Sequence, residues 1–186
     1  MKIKHALTII GLVTGALAAA PAAVSQSTAN SVVLTGQSCE SLVSLKLPDT
    51  TVAVAQAVAA GRFTPPTPFP AVAGPRGGLP VIAAKDLPDF CRVAGVITPT
   101  NDSAISFEVW LPTSNWNGKL IGIGNGGFAG SIFYQVMGAP LARGYAVAST
   151  DRGHKGAAFD ASFASGHPEK LIDFAYRATH ETTVKA

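Results

Sequence analysis

Residues 119–149 constrain the fold more than any other stretch of this chain. Residues 119–123 form a short apolar run that ends in Gly124-Asn125-Gly126-Gly127. A helical pattern follows over about residues 131–143, with Gly144 as its stop, and residues 145–149 form a second apolar run. Strand, glycine-rich turn, helix, strand is a βαβ unit, which requires a parallel strand pair joined by a right-handed crossover. Just upstream, residues 90–98 are β-rich and Pro99, Asn101, Asp102 and Ser103 make a turn cluster. Residues 104–111 then alternate, with Ile105, Phe107, Val109 and Leu111 on one face and Ser106 and Glu108 on the other. That pattern predicts a half-buried strand, paired with residues 90–98 as an antiparallel hairpin. A hairpin passing into βαβ units makes an α/β sheet. A composition 47% hydrophobic and 13% charged excludes a disordered charged tail.

The flanking segments are read the same way. Asp49 or Thr50 is placed to cap a short helix through Val52, Ala55 and Val58, with Gly61 just beyond its end. Residues 62–80 hold six prolines and read as an extended surface loop. Pro168 stands at the favoured first position of another helix. Leu171, Phe174, Ala175 and Ala178 recur at helical spacing as its buried stripe. Asp173, Arg177 and Glu181 stand four apart on the opposite face, the spacing of ion pairs. The chain stops at Ala186 within this helical pattern, so the sheet is expected to be unfinished.

The N-terminus points to export. Lys2 and Lys4 precede an uncharged apolar run over residues 6–20, shorter than the roughly 20 residues a membrane span needs. Small residues around Ala20, Ala22, Ala23 and Ser25 follow, so residues 1–25 are expected to be a signal peptide and residues 26–186 the mature domain. An uncleaved anchor is the alternative. The mature chain would carry twelve basic against eleven acidic residues and no basic aromatic stripe. Nucleic acid is therefore not expected as a partner, nor is stable membrane insertion after cleavage. The expected location is secreted or periplasmic. Cys39 and Cys91, the two cysteines, would meet there as a disulfide, with two free thiols as the alternative. Neither has the neighbouring ligands of a metal site.

Three features bear on chemistry. Gly124, Gly126, Gly127 and Gly130 lie where α/β sheets place their ligands, at the C-terminal end of a strand. Read by pattern, this segment is a tight turn, an anion or oxyanion site built from bare amides, or a weak nucleotide loop. In the nucleotide case only Asp151 is positioned as an acidic partner. His154, His167 and His180 lack the spacing of a zinc set. His154 reads as a site-wall residue or a loop histidine bonded to backbone, and His167 as a helix cap. No G-x-S-x-G occurs, so a possible oxyanion donor stands without an evident nucleophile.

In order along the chain come Cys39, Phe90-Cys91-Arg92-Val93, Phe107-Glu108-Val109-Trp110-Leu111-Pro112 and Trp116-Asn117-Gly118-Lys119. Then follow Gly124-Asn125-Gly126-Gly127-Phe128-Ala129-Gly130, Arg143-Gly144-Tyr145-Ala146 and Ser149-Thr150-Asp151-Arg152-Gly153-His154. The last is Asp173-Phe174-Ala175-Tyr176-Arg177-Ala178-Thr179-His180-Glu181. This series resembles the N-terminal part of the tannase and feruloyl esterase family of secreted α/β-hydrolases. The resemblance implies a Ser-His-Asp triad whose members lie beyond residue 186, with the nucleophile elbow one strand after the final helix. It also implies a later lid, which carries a calcium site in some members; no cofactor is expected within these residues. The Gly127 N–H would form half of the oxyanion hole, with Gly126 and Phe128 beside it as substrate-binding positions. Cys39 and Cys91 match the family's N-terminal disulfide.

The expected function is therefore that of an N-terminal piece of a serine carboxylic ester hydrolase acting on small aromatic esters, inactive by itself. A secreted, non-catalytic module that holds a phenolic ligand is the rival reading.

Overall fold

The computed structural model describes residues 38–66 and 81–186. The expected signal peptide, most of the polar segment after it, and residues 67–80 of the proline-rich segment lie outside these described residues. Five strands form one sheet: β1 (Thr50–Val58), β2 (Phe90–Ile97), β3 (Ile105–Pro112), β4 (Leu120–Ile123) and β5 (Ala146–Thr150). Their spatial order is β1-β2-β3-β5-β4. The first three pairings are antiparallel, and β4 runs parallel to β5. Helix α1 (Tyr134–Ala142) connects that parallel pair, as the βαβ pattern requires.

The β2–β3 hairpin forms in unbroken register from Phe90↔Pro112 to Ile97↔Ile105. Residues 49–61 depart from expectation: Thr50–Val58 is a strand, not a helix. Val52, Ala55 and Val58 do recur at helical spacing, but Thr50, Val52, Val54 and Val58 also alternate, and β-branched side chains favour the pleated surface. Pairing with β2 decides between the two patterns, from Thr50↔Ile97 to Val58↔Phe90, with a bulge between Val52 and Val54. The strand lies so close over β2 that a Cβ on Gly95 would sit 2.2 Å from the Thr51 carbonyl oxygen.

The sheet is covered on both faces. On one side Phe90, Trp110 and Val147 pack with Tyr134, Met137 and Leu141 of α1. Phe63 joins this core edge-on to Trp110, so the start of the proline-rich segment is anchored inside and is not a surface loop. On the other side Val93, Ile105, Phe107 and Ala148 pack with Ala178. The disulfide Cys39–Cys91 ties the short helical turn Cys39–Ser44 to β2.

Because both faces are covered, β3 is not half-buried as its alternation predicts. Glu108 is 1% exposed and Trp110 fully buried. Glu108 is tolerated there because four groups converge on its carboxylate. Arg92 Nε donates at 3.0 and 3.1 Å, and its Nη2 makes a second, close contact. Trp110 Nε1 and the Tyr134 hydroxyl each donate at 3.1 Å. The carboxylate holds the Arg92 pKa above its ordinary value, and burial beside it raises that of Tyr134. Tyr134 opens α1, so this cluster fastens the helix, and the glycine loop before it, to β3.

The C-terminal segment is helical from Pro168, but not uniformly. α2 (Pro168–Ile172) leads into a π turn at Asp173–Arg177, then α3 (Ala178–Lys185). The wider turn shifts the inward face, which becomes Asp173, Ala178 and Thr182. Of the expected stripe, Ala178 is fully buried and Phe174 partly so, whereas Leu171, 52% exposed, and Ala175 face outward. Asp173, expected on the outer face, is fully buried, with Arg177 Nη1 3.1 Å from its Oδ1. Arg177 binds Glu169 at 2.7 Å, and Lys185 takes Glu181.

Candidate active site

Strand β4 delivers the chain into the glycine-rich loop. Among the described residues, some peptide groups of that loop are held by specific partners and others are left bare. Asn125 Nδ2 donates to the carbonyls of Ala129, at 2.7 Å, and Ser131, at 3.0 Å. Ala129 N–H donates back to Gly126 O at 3.1 Å. Phe128 N–H reaches Ala158 O at 2.8 Å, and Gly130 N–H reaches Gly156 O at 3.0 Å. The amides of Gly126 and Gly127 have no hydrogen-bond partner among the described residues. Gly127 is in the left-handed region, at φ 55°, and a Cβ there would lie 2.4 Å from Ala158 O. Only glycine can both take this turn and let the segment around Ala158 press against it.

The second wall comes from the segment after β5. Arg152 has φ 63° and Gly153 φ 80°, a sharp reversal that brings His154 under the loop. Asp151 stabilises the reversal: its Oδ1 accepts from Ser106 N–H at 2.9 Å and Gly153 N–H at 3.0 Å. Its Oδ2 takes Lys155 Nζ at 2.6 Å. Asp151 is 1% exposed with both oxygens engaged, so it is not presented to a ribose, which removes the support for a nucleotide loop. His154 is bonded to backbone, one of its two expected roles. Its Nε2 lies 2.8 Å from Phe128 O and its Nδ1 3.4 Å from Arg152 O.

Aromatic rings gather around these groups. His154 stacks on Phe163 at 3.7 Å, and Phe174 lies 5.5 Å from Phe128. Phe128 presents part of its face to solvent, and Phe159 is fully outside, next to Ala158. Phe159, Phe163 and Phe174 were not legible as site residues, because they come from two segments that meet only in the fold. Behind the loop a hollow of about 110 Å³ is bordered by Gly122, Gly124, Ser149, Arg152 and Thr182. Burial lowers the Arg152 pKa. His167 lies away from this wall: it stands at the start of α2 without capping it, its Nδ1 3.0 Å from Asp102. His180 is exposed on α3. Among the described residues no three His, Cys, Asp or Glu side chains converge as metal ligands.

Comparison with known proteins decides the lineage. The model of the family described as tannase and feruloyl esterase matches residues 91–186. The chain belongs to this family. An uncharacterized esterase of Xanthomonas campestris pv. campestris is 45% identical over 144 residues, which are 77% of this chain and 23% of that protein. A probable feruloyl esterase B-2 of Aspergillus flavus is 43% identical over 96 residues, 52% of this chain and 18% of that one. The crystal structure of feruloyl esterase B from Aspergillus oryzae superposes with a TM-score of 0.61 at 30% identity, over 78% of this chain and 27% of that chain. The matched part of the chain thus spans about a fifth to a quarter of the length of these relatives. The α/β architecture and the esterase relationship of this tannase and feruloyl esterase family member stand on these matches together.

Proposed function

We propose that these residues act as the N-terminal part of a secreted serine carboxylic ester hydrolase for aromatic esters, and that they do not turn over substrate alone. The attacking serine and its histidine and aspartate come from residues beyond Ala186. What this chain supplies is the electrostatic half of the reaction. When serine adds to the ester carbonyl, negative charge develops on its oxygen. The Gly127 N–H receives that charge, with Gly126 beside it and the Phe128 ring against the aromatic acyl group.

One observation carries the reading: among the described residues the Gly127 amide is left without a partner, in a loop whose next three amides are all used. A fixed donor of this kind costs nothing to reorganise as charge appears. The family relationship and the short share of the relatives' length support the remainder.

The test is turnover of methyl ferulate and p-nitrophenyl acetate by the product of the full reading frame. Gly127→Ala forces the loop off Ala158 O, and should lower kcat by about 100-fold with KM little changed. Unchanged kcat removes the oxyanion role. The 186-residue chain should show no hydrolysis; turnover blocked by a serine-directed phosphonate would overturn that part. Phenolic binding without hydrolysis by the full product would favour the non-catalytic module.

A further inference from the structure

We propose that His154 is a positioning residue that sets the direction of the Gly127 N–H through the Phe128 peptide group. The catalytic consequence rests on the oxyanion reading; the mechanical part does not. Phe128 O can only accept, so the His154 Nε2 at 2.8 Å must carry the proton and donate. Arg152 O, 3.4 Å from Nδ1, is likewise only an acceptor, so that longer contact is a hydrogen bond only when Nδ1 carries a proton as well. The ring has little freedom. It is 5% exposed, stacked on Phe163 and edge-on to Phe174 at 5.7 Å. Gly130 makes room for it, since a Cβ there would lie 2.6 Å from His154 Cδ2.

From His154 the constraint passes through two rigid planes. Phe128 C=O and Ala129 N–H belong to one planar peptide, so holding the oxygen aims the N–H. That N–H donates to Gly126 O at 3.1 Å. Gly126 C=O and Gly127 N–H form the next plane, so anchoring the oxygen turns the Gly127 hydrogen the opposite way. A histidine that never touches substrate thereby orients the donor that does.

The test has three arms. In the ¹⁵N-labelled 186-residue chain, long-range ¹H–¹⁵N correlation should find the His154 proton on Nε2; a proton on Nδ1 alone overturns the proposal. His154→Phe keeps the stack and removes the donor, whereas His154→Gln offers an amide N–H in its place. In the Phe variant, Ala129 amide exchange should quicken about 5- to 10-fold while that of Val109 and Val147 holds. The Gln variant should recover at least half of the lost protection, by more than a purely packing role allows. Unchanged Ala129 exchange in the Phe variant, or no recovery with Gln, overturns the proposal; if the core amides quicken equally, the tautomer decides. In the full product, His154→Phe should lower kcat for methyl ferulate about tenfold at similar KM. Lost Ala129 protection with intact kcat would break the link to catalysis. An inactive wild-type product would instead sink the esterase reading, leaving His154 to be judged by the first two arms.

Discussion

Replacing Glu108 by Gln tests whether the buried carboxylate holds the two layers together. The carboxylate accepts from Arg92, Trp110 and Tyr134, with Glu108 1% and Arg92 14% exposed. An amide keeps the shape, removes the charge and turns an N–H toward groups that are themselves donors. Breaking one side of a buried ion pair costs about 3–5 kcal/mol, because the remaining charge stays buried without compensation. The two neutral donors add to that, but not in full, since all three partners share one carboxylate. A loss of about 4 kcal/mol is a large part of the roughly 5–15 kcal/mol that stabilises a domain. With a urea slope of about 2 kcal/mol per molar, the midpoint should fall by about 2 M. Fluorescence suits the measurement, because Trp110 is buried while Trp116 is already 63% exposed. The double variant Arg92→Leu with Glu108→Leu should be more stable than Glu108→Leu alone, giving a coupling of about 2 kcal/mol. A Glu108→Gln loss under about 1 kcal/mol, or zero coupling, would refute the reasoning.

Two further outcomes are expected. Cutting the Cys39–Cys91 bridge by Cys→Ser at both positions frees a 52-residue separation, and chain entropy sets the loss at up to about 4 kcal/mol, read from urea midpoints without reductant. Burial raises the Asp173 pKa above its ordinary 3.8, so the folded state holds this proton at pH values where the unfolded chain has released it. Its contribution to stability is therefore greatest below that ordinary value and declines as pH rises through the raised one. Asp173→Asn should flatten that decline in urea midpoints taken across the acid range; an unaltered slope would place the titration elsewhere.

Local signals were enough for the middle of the chain. The βαβ unit and the β2–β3 hairpin could be read because their apolar periods and turn residues agree with their final neighbours. Strand β1 could not, because alanines at 53, 55 and 57 leave helix and strand both open until β2 lies alongside. Glu108 was placed outward by its polarity alone. The hairpin register itself held the missing clue, since Arg92 opposes Trp110, the next residue but one from Glu108 on the same strand. At the glycine loop, the segment could be located but not its state. Which amides remain bare depends on the carbonyls of Gly156 and Ala158, and no short-range pattern announces those partners.

The widened turn at Asp173–Arg177 lets the C-terminal spiral absorb one residue more than an even winding would hold. Deleting one residue within it would restore an even α winding and leave everything downstream close to its present bearing, because the wider turn uses about one residue more for the same rotation. Asp173, Ala178 and Thr182 would then stand four apart and still face inward together. The extra residue is thus padding within one turn, taken up without breaking the inward line that runs through both halves of the rod.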